Sequence, residues 1–180
     1  EDTATKFFEH FVLISEALNE LGMWNNEDKF FYDTLVSAGA KPIQLRIQSI
    51  VGLTSLFAVS VIDKNVFHKL DDFTKRITWF ENYRIRNNKF WPNEERAEEN
   101  KTLISLIPKE KLVALLTRLL NETEFLSDGG IRALSKYHEK NPYSVNIEGT
   151  VYSIQYDPGD STSDFFGGNK RKVLLSENFT

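Results

Sequence analysis

Phe7, Phe11, Ile14, Leu18 and Leu21 recur at intervals of four, three, four and three residues, the spacing of one helix face. Asp2 or Thr3 can cap the start of that helix, and Gly22 accepts the left-handed angles that end it. Phe8, Leu13 and Ala17 widen the stripe, so the pattern predicts a well-buried helix. Asn25, Asn26 and Asp28 then favour a turn, and Phe30-Phe31-Tyr32 a short extended piece. A second turn over Ser37 to Lys41 lets Pro42 to Ile47 return antiparallel to it.

Ser49 to Ile62 is apolar for long enough to predict a buried helix rather than a strand. Asn65 to Tyr83 carries Phe67, Leu70, Phe73, Ile77 and Phe80 on one stripe and predicts another helix. The polar, acidic stretch from Asn87 to Lys101 predicts a solvated loop. Pro108 opens a helix over Lys109 to Asn121, with Leu112, Leu115, Leu116 and Leu119 as its apolar positions. Gly129-Gly130 breaks the chain, and a short helical turn is expected from Ile131 to Tyr137. Tyr143 to Ile147 and Val151 to Tyr156 alternate apolar and polar residues across Glu148-Gly149, a β-hairpin signal. No repeat and no linker divides the chain. The expected architecture is a mainly α core with small β-hairpin decorations, and the irregular stretch from Asn121 to Asn169 has the length of a functional loop.

Composition narrows the function. The chain has 180 residues, 41% of them hydrophobic and 13% aromatic, so a sizeable aromatic surface must enter a core or a ligand site. A net charge of -4 argues against a chain built to hold nucleic-acid phosphates. The one basic cluster, Lys170-Arg171-Lys172, reads as a solvated tail. With no cysteine, disulfides and thiolate chemistry are excluded, which is compatible with a cytoplasmic location. No apolar run approaches the roughly 20 residues that span a bilayer.

Familiar catalytic patterns are missing. The glycine pairs lack the spacing of a phosphate loop, no serine nucleophile elbow occurs, and His10, His68 and His138 lie too far apart for a zinc helix. What remains is carboxylates beside aromatics in loops: Asp33 after Trp24 and Tyr32, and Asp157, Asp160 and Asp164 before Phe165-Phe166. Sugar rings present C–H faces to aromatic rings, and glycoside hydrolysis needs two flanking carboxylates. Single aspartates in loops also serve as turns and caps, so this pattern alone is weak.

Four ordered blocks carry a family resemblance. They are Met23 to Asp33 (MWNNEDKFFYD), Leu45 to Leu53 (LRIQSIVGL), Glu124 to Ser127 with Gly130 to His138 (EFLS, GIRALSKYH), and Phe166 to Asn169 (FGGN). Together they resemble glycoside hydrolase family 63 and its mannosylglycerate-hydrolase-like relatives. The resemblance implies an (α/α)6 toroid, here partial, and inverting hydrolysis of α-linked glucose or mannose, a chemistry that uses neither a metal nor an organic cofactor. It makes residues 1–169 a fragment of a catalytic domain and 170–180 a divergent tail. Trp24, Tyr32 and Arg46 match motif positions at the sugar pocket, and Gly167, Gly168 and Asn169 match the loop that continues into a Trp-Arg-Gly-Pro segment. The general acid and base of such enzymes fall outside the matched region, so no residue of this chain is assigned a catalytic role. The implied partners are a carbohydrate substrate and the rest of the catalytic domain. A non-catalytic remnant of the same fold, either carbohydrate-binding or a scaffold, is the alternative. Uncovered apolar helix faces are expected to make the chain associate when expressed alone.

Overall fold

A computed structural model describes residues 2–37, 39, 41–67, 69–87, 89, 95–98, 100–157 and 170–175. In chain order it begins with α1 (Asp2–Glu20), the short strands β1 (Trp24–Asn25), β2 (Phe30–Phe31), β3 (Asp33–Leu35) and β4 (Ile43–Leu45), and a 3-10 helix over Ile50–Phe57. Next come β5 (Val59–Asp63), α2 (Lys64–Phe67), α3 (Asp71–Arg86), β6 (Glu95–Glu98), β7 (Lys101–Ser105) and α4 (Lys109–Leu119). The chain ends with β8 (Leu126–Ser127), β9 (Gly130–Ile131), a 3-10 turn (Lys136–Glu139), β10 (Tyr143–Ile147), β11 (Thr150–Asp157) and β12 (Lys170–Leu175).

This is an α+β fold, not the mainly α toroid that the sequence led us to expect. The described residues form twelve strands, too many for decorations on a ring of helices. The strands form five small antiparallel sheets among the described residues. The reason is visible at Val59–Asp63, where Val59, Val61 and Ile62 are β-branched and pair with β7 in register, Val61 opposite Leu103. That pairing takes the end of the expected second helix, and the helix before it tightens into the 3-10 form. The expected third helix divides at Leu70 into α2 and α3. α1, α4 and the β10–β11 hairpin follow the sequence pattern, with Glu148 (φ 52) and Gly149 (φ 88) turning the hairpin. The expected return over Pro42 to Ile47 pairs through β4 with β3, Thr34 opposite Gln44, and not with Phe30-Phe31-Tyr32, whose Phe30–Phe31 (β2) pairs with β1 instead. Lys170–Leu175, read as a tail, pairs with β11, Ile154 opposite Val173.

The chain divides into two compact units, each made of two separated stretches. Unit 1 is Glu1–Trp24 with Ser55–Leu112, and unit 2 is Asn25–Thr54 with Val113–Thr180. No linker marks this division in the sequence because each unit is discontinuous.

In unit 1, α1 packs on α3, Phe8 meeting Phe73 edge-on at 5.9 Å between ring centres. The face of α1 that turns inward carries Thr5, Val12 and Ser15 rather than the phenylalanine stripe. Ser15 donates its hydroxyl to the Leu106 carbonyl, and Glu16 pairs with Arg84 of α3 at 2.7 Å. Phe7, Leu13, Ile14 and Leu21 are exposed, and His10 is exposed with them, which corrects the expectation of a well-buried helix.

In unit 2 the core gathers Phe30, Phe31, Tyr32, Leu53, Leu115, Phe125, Leu134, Ile154 and Tyr156. Phe30 stacks on Phe125 at 5.9 Å with the planes 11° apart.

Candidate functional site

The first block folds into a turn. Asn25 Oδ1 accepts the backbone N–H groups of Glu27 and Asp28, at 3.0 and 2.9 Å, and Lys29 adopts a positive φ of 52°. The turn presents Asp28, whose carboxylate accepts the Tyr32 hydroxyl at 2.9 Å. Arg46 then reaches the same turn, with Nη2 2.8 Å from Glu27 Oε2 and Nε 3.7 Å from Asp28 Oδ2.

Of the six expected pocket residues, Tyr32 and Arg46 are therefore brought together through Asp28. Burial, and next the hydrogen bond to Asp28, push the Tyr32 phenol well above its ordinary range. With Tyr32 only 2% exposed and its hydroxyl committed, the ring braces the turn and offers no face to a ligand. Trp24 belongs to unit 1, where the Lys111 ammonium lies 5.1 Å from its ring centre. Gly167, Gly168 and Asn169 lie outside the described residues, as do Asp160 and Asp164.

The second and third blocks meet closely. Ser135 donates its N–H to the Gln48 carbonyl at 2.8 Å, and Ile50 donates to the Ala133 carbonyl at 2.9 Å. Arg132 organises the third block: its Nη1 reaches the carbonyls of Glu122 (2.9 Å), Glu124 (3.3 Å) and Leu126, and its Nε donates to the Tyr156 hydroxyl at 3.2 Å. Sequence reading gave Arg132 no role. An arginine that collects carbonyls from its own loop has no sequence signature.

His138 links this block to its surroundings. Its Nε2 accepts the Gln48 N–H at 2.9 Å, which leaves Nδ1 protonated to donate to the Asn141 carbonyl at 2.9 Å. The ring is therefore neutral, and burial holds its pKa below the ordinary 6.5. The linkage gives a pH dependence. As the pH falls through 6.5 the unfolded chain takes up a proton that folded His138 refuses, so stability declines from there down to the lowered folded value. Glu124 acts with the opposite sign at lower pH: burial raises its pKa above 4.5, against the opposing charge of Arg118 at 3.3 Å. Urea midpoints measured between pH 7.5 and 5.0 are expected to fall, with a shallower slope in His138→Gln. An equal slope in that variant would remove His138 as the cause.

Around this block lies a cavity of about 500 Å³, lined by Glu122, Thr123, Lys136, Tyr137, Glu139, Lys140 and Asn141. Two carboxylates balance two ammonium groups, with a hydroxyl, an amide and the half-exposed Tyr137 ring among them. The His138 bond to Asn141 O and the Ser135 Oγ that accepts the Tyr137 N–H at 3.2 Å fix two of the walls. Such a lining can hold a small neutral ligand rich in hydroxyl groups. No group of three or more His, Asp or Glu side chains suited to a metal ion occurs among the described residues. No described helix is long and apolar enough to cross a membrane.

No family model matches the chain, and no solved structure does. It is similar to the uncharacterized protein YMR196W of Saccharomyces cerevisiae, 42% identical over 187 residues that take in 94% of this chain and 17% of the yeast protein. The chain thus spans about a sixth of that relative's length.

Proposed function

We propose that unit 2 is a carbohydrate-recognising part of a larger inverting α-glycosidase that acts on α-linked glucose or mannose, with the catalytic acid and base supplied by other parts of the polypeptide. The cavity around Tyr137 carries this reading. Its lining offers donors and acceptors of both signs at no net charge, which suits a neutral polyol better than a phosphate or a nucleic acid. The Tyr137 ring supplies an apolar face for the C–H side of a sugar. The four-block resemblance supports the same reading, since Lys136 and Tyr137 fall within its third block.

The test is calorimetric titration of the chain with glucose, mannose and their α-linked disaccharides. Tyr137→Ala is expected to weaken binding on the order of tenfold, as loss of one aromatic face implies. Because Tyr137 is 46% exposed, its thermal midpoint should hardly move. A chain that takes up none of these sugars, or a Tyr137→Ala variant that binds them equally well, would remove the proposal. Hydrolysis of α-glucosides by the longer polypeptide then separates an enzyme from a binding protein without catalysis.

A further inference from the structure

Unit 1 carries an apolar groove of about 480 Å³ between α1 and the start of β5. Its walls include Phe7, Phe8, Phe11, Phe57, Phe73 and Ile104. Phe7 is 71% exposed and Phe57 74% exposed. An apolar concentration of this kind marks an interaction surface. The groove runs into the apolar stripe of α1, on which Phe7, Ile14 and Leu21 are exposed and Phe11 and Leu18 half-buried. Phe7, Phe11, Ile14, Leu18 and Leu21 are spaced 4-3-4-3, a continuous apolar stripe of the kind along which one helix packs on another. α1 is held to unit 1 mainly by its other face, through Thr5, Val12 and Ser15, which leaves Phe7, Ile14 and Leu21 of the seam exposed.

We propose that the α1 seam and the groove beside it dock an amphipathic helix from further polypeptide of the same protein. The yeast relative shows where such a helix can come from: the aligned segment is 17% of its length. A tethered helix also has the advantage over a second copy of the chain. Its effective concentration is on the order of millimolar for a short linker. Apolar positions at i, i+3 or i+4, and i+7 of the incoming helix would meet the phenylalanines.

The test compares the 180-residue chain with the full-length yeast relative. Alone, the chain is expected to bind the dye ANS and to associate without a defined stoichiometry. Phe7→Glu and Phe57→Glu should each reduce both effects and leave the thermal midpoint unchanged, because both side chains are exposed. In the full-length relative, ANS should bind weakly. Glu at the aligned positions should raise that binding severalfold and lower the thermal midpoint. A Glu placed at the position aligned with Val36, exposed in unit 2 and away from the groove, should do neither. Polar residues at the aligned seam positions, or a relative indifferent to Glu there, would overturn the proposal. So would a discrete dimer of the 180-residue chain that either substitution splits, since the seam would then belong to a second copy.

Discussion

Gly52→Ala is expected to destabilise unit 2 severely, by on the order of 3 kcal/mol or more. A Cβ at Gly52 would sit 2.5 Å from the Phe31 carbonyl oxygen and 2.7 Å from Phe30 Cζ, and would overlap Phe30 Cε1. A flexible side chain could yield to such a clash, but these neighbours cannot. Phe31 contributes backbone, and Phe30 is fully buried between the Phe125 ring and the Arg118 guanidinium, 5.2 Å from its centre. Interiors packed this closely accommodate an added methyl only by moving backbone. Five of the six tyrosines lie in unit 2, so near-ultraviolet dichroism of tyrosine through a urea titration follows the loss. A midpoint shift equivalent to less than about 0.5 kcal/mol, the range of an ordinary surface change, would refute the packing described around Gly52.

Arg84→Met should give the second large loss, in unit 1. Arg84 is 3% exposed, and its guanidinium pairs with Glu16 at 2.7 Å while lying 5.5 Å from the centre of the Phe80 ring. Removing the cation leaves Glu16 largely buried with Lys89, at 3.9 Å, as the remaining ion-pair partner among the described residues. Breaking a buried pair from one side costs about 3–5 kcal/mol, and the surviving lysine places this case near the lower end. Replacing both partners, Glu16→Leu with Arg84→Met, should recover most of the loss, because no charge is then stranded. Trp79 lies on α3 one turn before Tyr83, against which it stacks at 5.6 Å, so tryptophan emission reports the unfolding. A double variant as unstable as Arg84→Met alone would mean that packing, not charge, sets the effect.

The parts of the fold that the sequence disclosed are those decided by local chemistry. Gly22 ends α1, Pro108 precedes α4, and Glu148-Gly149 turns the β10–β11 hairpin, each through backbone preferences of the residues themselves. The parts it concealed depend on distant partners. Val59–Asp63 becomes a strand because Lys101–Ser105, some forty residues on, lies beside it. The phenylalanine stripe of α1 looks like a core face, yet Ser15 and Glu16 find their partners at Leu106 and Arg84 and turn the helix the other way. The candidate site follows the same division. The blocks around Tyr32, Arg46 and Tyr137 were legible as aromatic and charged motifs. That Tyr32 is sealed behind Asp28 while Tyr137 faces a cavity depends on contacts that no spacing encodes.

The interleaving of the two units also sets an order on their synthesis. Both stretches of unit 1 have been made once Leu112 is added, whereas Asn25–Thr54, with Phe30, Phe31 and Leu53, must wait for partners that begin only at Val113. The gap is roughly 60 residues, which at about 5–20 residues per second amounts to roughly 3–12 s. During that interval Phe30 has neither the Phe125 ring nor the Arg118 guanidinium to pack against. The nascent chain is therefore most open to chaperone capture or misassociation at that stage, after the sequence of unit 1 is already complete.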